Sequence, residues 1–265
     1  MEKFKVHVYL RHFVRDERTF ETYKKIIGKI LRAQKQIDFN FNLLLNYSTD
    51  LSATVRDRLM EISQKLIEAD IGLSIVMGRG AGAALFDLME EVLGNVSVDR
   101  SKVIVIVIDG DAYAIDQTEV LRRMRNLATN VMKENAILGL AQRTQVKLPV
   151  ADGGSDVLKL QEREMMREID ELYLALAFKG KLPVKKSSEI KSPPAYRELG
   201  DPVPGFYCIN VTHKNFPDLF RQIEKDALRS TIIDYTGDCY MVLAASRFGK
   251  IATEVIPMAD NPPGR

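Results

Sequence analysis

Cysteine, charge of one sign and long apolar runs are all scarce in this sequence. Two cysteines in 265 residues exclude a disulfide scaffold and are typical of a reducing compartment. The 38 basic and 36 acidic side chains nearly cancel, whereas nucleic-acid binders usually carry a strong basic excess. The run nearest to a membrane segment, Val103 to Ile108, is far shorter than the ~20 residues needed to span a bilayer. We therefore expect a cytoplasmic protein with no transmembrane segment and no nucleic-acid partner.

Several catalytic signatures are missing as well. The sequence contains no Gly-x-Ser-x-Gly, His-Glu-x-x-His, Cys-x-x-Cys or Walker motif. These absences leave a serine hydrolase, a zinc protease, a thioredoxin and a P-loop enzyme without support. With 265 residues and 46% hydrophobic content, the chain is long and apolar enough to bury a large core without disulfides or metals.

Apolar runs of strand length alternate along the chain with segments of helical periodicity. The strand-like runs cover residues 6–10, 42–45, 73–76, 103–108, 136–141, 206–211 and 251–256. The clearest helical face steps by four, three and four residues through Val55, Leu59, Ile62 and Leu66. Asp50 and Ser52 offer side-chain oxygens to the first free N–H groups of that helix. Such alternation is typical of the α/β class, in which helices cover both faces of a mostly parallel sheet.

The pattern changes past residue 150, so we divide the chain into two halves of one domain. Residues 1–150 hold the regular alternation, and residues 151–257 form the second half. We expect a basic, proline-containing loop over residues 178–204, because residues 178–197 carry six basic side chains, one acidic side chain and three prolines. Residues 258–265 are predicted to be a flexible tail.

Two acidic residues follow the most apolar of the predicted strands. In a parallel sheet, ligands bind beyond the carboxyl ends of the strands, and Asp109-Gly110-Asp111 stands at such an end. Mutual repulsion of the carboxylates favours a bound cation, and oxygen ligands suit Mg²⁺ or Mn²⁺, which can hold a substrate diphosphate. His213, after another predicted strand, could add an imidazole ligand to the same ion. The alternative is a polar turn that closes the strand, with Gly110 at a positive φ.

A glycine-rich segment follows the run 73–76. Gly78 to Gly82 let the backbone approach a ligand closely, and the start of a helix there favours anions. Arg79 adds donors suited to phosphate. Gly78, Gly80 and Ala83 also match the weak dinucleotide pattern Gly-x-Gly-x-x-Gly/Ala. A nucleotide- or dinucleotide-binding oxidoreductase that uses the Gly78–Gly82 segment is therefore a second hypothesis.

A series of short motifs occurs in a defined order along the chain. They are Arg15-Asp16-Glu17, Ser48-Thr49-Asp50, the stretch from Gly78 to Ala84, the pair Asp109 and Asp111, the stretch from Asp201 to Tyr207, and the stretch from Gly237 to Pro257. In this order they resemble the GT-A nucleotide-sugar glycosyltransferases, in particular the polyprenol-phosphate mannosyltransferase-like branch. Leu45 and Asn46 stand where that family has a pair of base-binding carboxylates.

The resemblance implies a single GT-A domain with a Rossmann-like sheet, whose residues 1–150 bind the nucleotide sugar and whose residues 151–257 face the acceptor. The implied reaction moves a sugar from a nucleoside diphosphate sugar to an acceptor hydroxyl, with Mg²⁺ or Mn²⁺ as cofactor. Asp238 corresponds to the position of the catalytic base in several inverting relatives. The residues implied to bind the nucleotide sugar are Leu10, Asn46, Ser48, Arg79, Gly80, Asp109 and Gly110. The implied metal ligands are Asp109 and Asp111, and His213, from its position after a predicted strand, is the additional candidate.

The sequence leaves other points open. Because Leu45 and Asn46 replace the base-binding carboxylates, a non-catalytic nucleotide-sugar-binding protein on the same fold is an alternative. The expected partners are a nucleoside diphosphate sugar donor and an acceptor whose identity the sequence does not specify. A homo-oligomer is also left open.

Overall fold

The computed structural model describes residues 4–78, 103–109, 114–142, 202–227, 244–245 and 247–256. Some predictions from the sequence fall outside these residues. They concern Arg79, Gly80, Gly110, Asp111, Asp238, the predicted loop up to residue 201 and the tail at 258–265. These therefore remain predictions.

Seven strands form one sheet in the order β3-β2-β1-β4-β6-β5-β7. Their bounds are β1 (Lys5–Val14), β2 (Asn40–Tyr47), β3 (Gly72–Met77), β4 (Val103–Asp109), β5 (Leu138–Gln142), β6 (Pro202–Asn210) and β7 (Ile251–Val255). Strand β6 is antiparallel to its neighbours β4 and β5, and the other neighbouring strands are parallel. The predicted α/β class with a mostly parallel sheet is confirmed, and every predicted strand is present.

Four helices have bounds within the described residues: α1 (Glu17–Gln34), α2 (Ala53–Glu68), α3 (Thr118–Lys133) and α4 (Phe216–Ala227). Helix α1 begins with a capping box, in which the Asp16 carboxylate accepts from the Thr19 N–H. Helix α2 is capped by Ser52, whose hydroxyl accepts from the Val55 N–H at 3.4 Å. Among the described residues, no helix combines the length and the apolar character needed to cross a bilayer.

Successive strand residues turn their side chains to opposite faces of the sheet, where two apolar clusters lie. On one face, Val8 and Ile106 belong to the cluster that includes the buried sides of α1, α2 and α3. On the other face, Tyr9 and Val105 belong to the cluster that includes α4 and residues 244–245. Helices therefore cover both faces, as predicted.

Two strand ends differ from the prediction by four residues, and the others differ by two or fewer. Strand β1 continues past Leu10, because His12 and Val14 keep the alternation and are buried on the side of α1. Strand β6 begins at Pro202, so residues 202–204 belong to the sheet and the predicted loop over 178–204 was drawn too long. The prolines suggested a loop, but proline is tolerated in the first residues of a strand.

Candidate functional site

Arg11 and Asp109 form an ion pair at the carboxyl ends of β1 and β4. The two residues are register partners in neighbouring parallel strands. The Arg11 Nε donates a hydrogen bond to Asp109 Oδ1 at 3.0 Å, and Nη2 lies 2.9 Å from the same oxygen. The Arg11 side chain is 14% exposed, whereas that of Asp109 is 39% exposed. Asp109 is therefore the member of the pair that a ligand can reach most easily.

The carboxylate of Asp109 also fits a divalent cation. Both contacts from Arg11 fall on Oδ1, and none of the described residues donates a hydrogen bond to Oδ2. Magnesium commonly binds through one or two carboxylates together with substrate phosphates. The described residues hold no cluster of three or more His, Cys, Asp and Glu side chains. Beyond Asp109, the ligands of such an ion would have to come from other groups, such as water or a bound phosphate.

Asn46 lies on the same face of the sheet, close to the carboxyl end of β2. It pairs with Phe13, whereas Arg11 pairs with Leu44, so Asn46 stands one side-chain row further along the strand direction. Usual strand spacing and rise place its Cα about 12 Å from that of Asp109. Asn46 is 7% exposed, and its amide can both donate and accept hydrogen bonds. The two residues can thus contact different parts of one elongated ligand.

The turn after β2 joins the ends of the first three strands. The Ser48 N–H donates to the Val14 carbonyl at 2.9 Å, and its hydroxyl accepts a backbone N–H two residues on at 3.3 Å. The Gly78 N–H donates to the Tyr47 carbonyl at 2.8 Å. Gly78 has a φ of +64°, and a Cβ there would lie 2.9 Å from Thr49 Cγ2. The start of the glycine-rich segment is thus held beside Ser48.

His213 lies at the opposite edge of the sheet from Asp109. Strand β6 is antiparallel to β4, and its last residue, Asn210, pairs with Ile104 at the beginning of β4. At about 3.3 Å per residue, the step from Ile104 to Asp109 spans about 17 Å. The prediction that His213 shares a metal ion with Asp109 is therefore wrong, because the direction of β6 carries it to the other edge.

The surroundings of His213 indicate a structural role. Its side chain is buried, and Nδ1 accepts a hydrogen bond from the Asn215 N–H at 3.2 Å. Its carbonyl accepts from the Phe216 N–H at 2.8 Å, at the beginning of α4. Burial, and then the charge of Lys214, lower the pKa of His213. The imidazole thus stabilises the turn that leads from β6 into α4.

The side chain of Leu10 also lies away from the predicted site. It is 0% exposed and packs in the cluster that faces α1, α2 and α3. Arg11 and Asp109 occupy the odd-numbered positions of their strands and face the opposite side. The prediction that Leu10 contacts the nucleotide sugar is wrong for its side chain, because it helps to form the core.

Its position after a predicted strand marks Arg11 as a place to look for function, but no ligand and no metal was assigned to it from the sequence. The signal for it was present in two separate parts of the sequence. The apolar runs 6–10 and 103–108 are each followed at once by a charged residue, Arg11 and Asp109. If the two strands are parallel neighbours in register, these charges must lie side by side. The sequence alone does not specify that β1 and β4 are neighbours, and the pair becomes visible only in the sheet.

Comparison with known proteins adds a distant structural likeness. No protein-family model matches the sequence, and no curated protein is found to be similar to it. The structure is similar to the crystal structure of S. aureus TarS 1-349, with a TM-score of 0.43 and 14% sequence identity. The match covers 94% of this chain and 57% of that chain, so this chain spans little more than half the length of TarS 1-349.

Proposed function

We propose that the protein transfers a sugar from a nucleoside diphosphate sugar to an acceptor hydroxyl, at the carboxyl edge of its sheet. The observation that carries the proposal is the pairing of Arg11 with Asp109, with Asn46 on the same face. A guanidinium suits phosphate oxygens, a carboxylate suits a hard cation, and an amide suits the edge of a base. The resemblance of the motif order to the GT-A glycosyltransferases supports the same assignment.

In this proposal each residue at the carboxyl edge of the sheet contacts or borders a different part of the nucleotide sugar. Asn46 contacts the nucleobase, while Arg79 and Gly80 lie near the phosphates. The Ser48 hydroxyl is engaged in its own turn, so its contribution is to hold the backbone that borders the ligand. Asp109 and Gly110 contact the ribose and the diphosphate. Each role matches the chemistry of the group with the part of the ligand that needs it.

A divalent cation is the proposed cofactor of the reaction. Asp109, through Oδ2, and Asp111 would hold it, and when bound it would neutralise the negative charge of the departing diphosphate. Arg11 keeps the Asp109 carboxylate oriented by its two contacts with Oδ1. Asp238 takes the proton from the acceptor hydroxyl as general base.

The proposal is tested by ligand-induced stabilisation of the full chain. We expect at least one nucleoside diphosphate or nucleoside diphosphate sugar, with Mn²⁺, to raise the melting temperature. A ligand at 100 times its dissociation constant stabilises a fold by about 2.7 kcal/mol. Asp109→Asn should abolish the shift. Asp38→Asn is the matched control, because Asp38 is exposed in the turn before β2 at the opposite edge.

A second measurement addresses the reaction itself. A donor that stabilises the protein should release its nucleoside diphosphate when a suitable acceptor hydroxyl is present, and the sugar should appear on that acceptor. If no nucleotide sugar stabilises the wild type, or if Asp109→Asn keeps the full shift, the proposal is wrong.

A further inference from the structure

Arg11 puts a permanent positive charge beside the carboxylate that the proposed function assigns to a cation. A guanidinium keeps its charge at every pH at which a protein is folded. Its side chain is mostly buried, and both of its contacts with Asp109 go to Oδ1. A divalent ion on Oδ2 would lie only about 5 Å from the guanidinium, given a metal–oxygen distance of about 2.1 Å.

At that distance the guanidinium strongly repels a divalent cation that arrives without a phosphate ligand. Even at the dielectric constant of water, repulsion between a single and a double positive charge about 5 Å apart weakens binding by more than about tenfold. Partial burial of Arg11 reduces the screening by solvent and increases this effect. Arg11 also keeps Oδ1 occupied, so Asp109 offers a free cation one oxygen instead of two.

The repulsion is relieved when the ion arrives with a diphosphate. The two negative charges of a nucleotide sugar's diphosphate cancel the charge of the divalent cation, whereas the complex of the cation with pyrophosphate stays net negative. In both complexes the outer phosphate oxygens accept hydrogen bonds. A guanidinium can bind these oxygens through its remaining N–H donors, and it also attracts the pyrophosphate complex through its charge. Arg11 therefore weakens the binding of the cation alone and strengthens the binding of the cation–diphosphate complex.

We propose that Arg11 makes the divalent cation and the diphosphate bind together at Asp109, with the bare cation bound only weakly. This inference rests on the proposed function for the identity of the diphosphate ligand. The coupling is reciprocal: the diphosphate raises the affinity for the cation by the same factor by which the cation raises the affinity for the diphosphate. The resting protein thus holds Asp109 in an internal ion pair and completes its cation site only when the donor arrives.

The test measures metal binding directly, with Mn²⁺ alone and with preformed Mn²⁺–pyrophosphate. Electron paramagnetic resonance of free Mn²⁺ gives the first affinity, and calorimetry gives the second. For Arg11→Gln, which removes the charge but leaves a hydrogen-bond donor for Asp109, we expect Mn²⁺ alone to bind at least about tenfold more tightly. The same variant should bind Mn²⁺–pyrophosphate several-fold more weakly.

Three further variants isolate the cause. Arg11→Lys keeps the charge, so its affinity for Mn²⁺ alone should stay within about threefold of the wild type. Arg15→Gln removes a positive charge from the same end of β1, but Arg15 pairs with Asp16 and not with Asp109, so it should change neither affinity. Adding Asp109→Asn to Arg11→Gln should remove the gain in Mn²⁺ affinity. Arg11→Met is a second neutral variant, to be used if circular dichroism shows that Arg11→Gln is unfolded.

The outcomes separate this inference from the proposed function, because no nucleotide sugar enters the assay. Unchanged Mn²⁺ affinity in the neutral variants, or unchanged Mn²⁺–pyrophosphate affinity, overturns the role of Arg11. A wild type that binds neither probe overturns it as well. If the affinities move in opposite directions as expected while no nucleotide sugar binds, the coupling stands and the proposed donor is wrong.

Discussion

His213 is a buried imidazole at the amino edge of β4, where it accepts a hydrogen bond from the Asn215 N–H. Burial disfavours its charged form and lowers its pKa. An unfolded chain offers the same imidazole to water, where it takes up a proton near pH ~6.5. As the pH falls, His213 is therefore protonated in the unfolded state before it is protonated in the folded state. The free energy of unfolding consequently depends on pH.

We expect the neutral His213 to stabilise the fold fully above pH ~6.5 and to lose that contribution as the pH falls toward its lower folded pKa. In His213→Asn, the amide oxygen can replace Nδ1 as the acceptor but does not titrate. The free energy of unfolding of this variant should therefore fall less steeply between pH 7 and 5 than that of the wild type, as measured by urea denaturation.

His7 provides an independent test of the same linkage, because burial, and then the charge of Lys5, lower its pKa as well. His7→Asn should flatten the same part of the profile, and the two substitutions together should flatten it further. If the curves of His213→Asn and the wild type run parallel over this range, His213 does not titrate with the linkage described.

Asp238 stands just before the segment 241–248, which the sequence predicts to be a helix, so capping of that helix is the alternative to catalysis. The two roles differ in their response to one substitution. Asparagine caps helices about as well as aspartate, so a purely structural role predicts a normal melting temperature and a normal transfer rate for Asp238→Asn. An amide cannot accept the proton, and general base catalysis contributes roughly 10²–10⁴-fold in rate. We expect the rate to fall by that factor while the affinity for the donor stays unchanged. Transfer at the wild-type rate would show that Asp238 is not the base.

At the scale of single elements, the contact between β5 and α3 depends on a missing side chain. A Cβ at Gly139 would lie 2.6 Å from Val131 Cγ2 and 2.9 Å from Leu127 Cδ1, both on α3. It would also lie 3.1 Å from Cys208 Cβ on β6. The glycine therefore lets the helix pack closely against the strand, and the core there has no room for one more methyl group.

Gly139→Ala should destabilise the protein by about 1–3 kcal/mol, the usual cost of overpacking, as measured by urea denaturation. Adding Val131→Ala to the same chain should recover part of the loss, because it removes the closest contact. Gly28→Ala is the control in α1, where a Cβ would meet only the flexible end of Arg32 at 3.3 Å. It should stabilise the protein by about 0.5–1 kcal/mol. Equal effects at the two glycines would contradict this account of the packing.

At the scale of the whole molecule, the sheet interleaves the two halves of the chain. Strand β6 lies between β4 and β5, although it comes from the far side of residue 150. Strand β5 has β6 and β7 as its neighbours, and both belong to the second half. The division at residue 150 therefore marks a change in the sequence and does not separate two independent folding units.

A fragment of residues 1–150 should consequently fail to form a stable fold. It would lack both neighbours of β5 and would expose the apolar edge of β4, which β6 covers in the full chain. We expect one cooperative urea transition for the full chain and, for the fragment, aggregation or a broad transition without cooperativity. A monomeric fragment with a sharp transition of its own would contradict the interleaved sheet as the unit of folding.

Local patterns account for much of the fold. The unbroken apolar run 103–108 predicts a strand buried on both faces, and β4 is such a strand. The period of Val55, Leu59 and Leu66 predicts the buried face of α2. These features were predictable because strand and helix periods record burial within a few neighbouring residues. The extension of β1 through Arg11 and His12 was missed, since polar side chains interrupt the apolar run while the backbone continues to pair.

The sequence by itself determined the α/β class, the elements and the presence of acidic and glycine-rich segments beyond strand ends. Only the tertiary structure decided which of those ends share an edge. Strand order made Arg11 the partner of Asp109, and the antiparallel direction of β6 moved His213 to the other edge. Neither fact follows from a local sequence pattern, because the packing of the whole sheet determines strand order and direction. A site assembled from several strands can therefore be identified from the fold but not from the sequence alone.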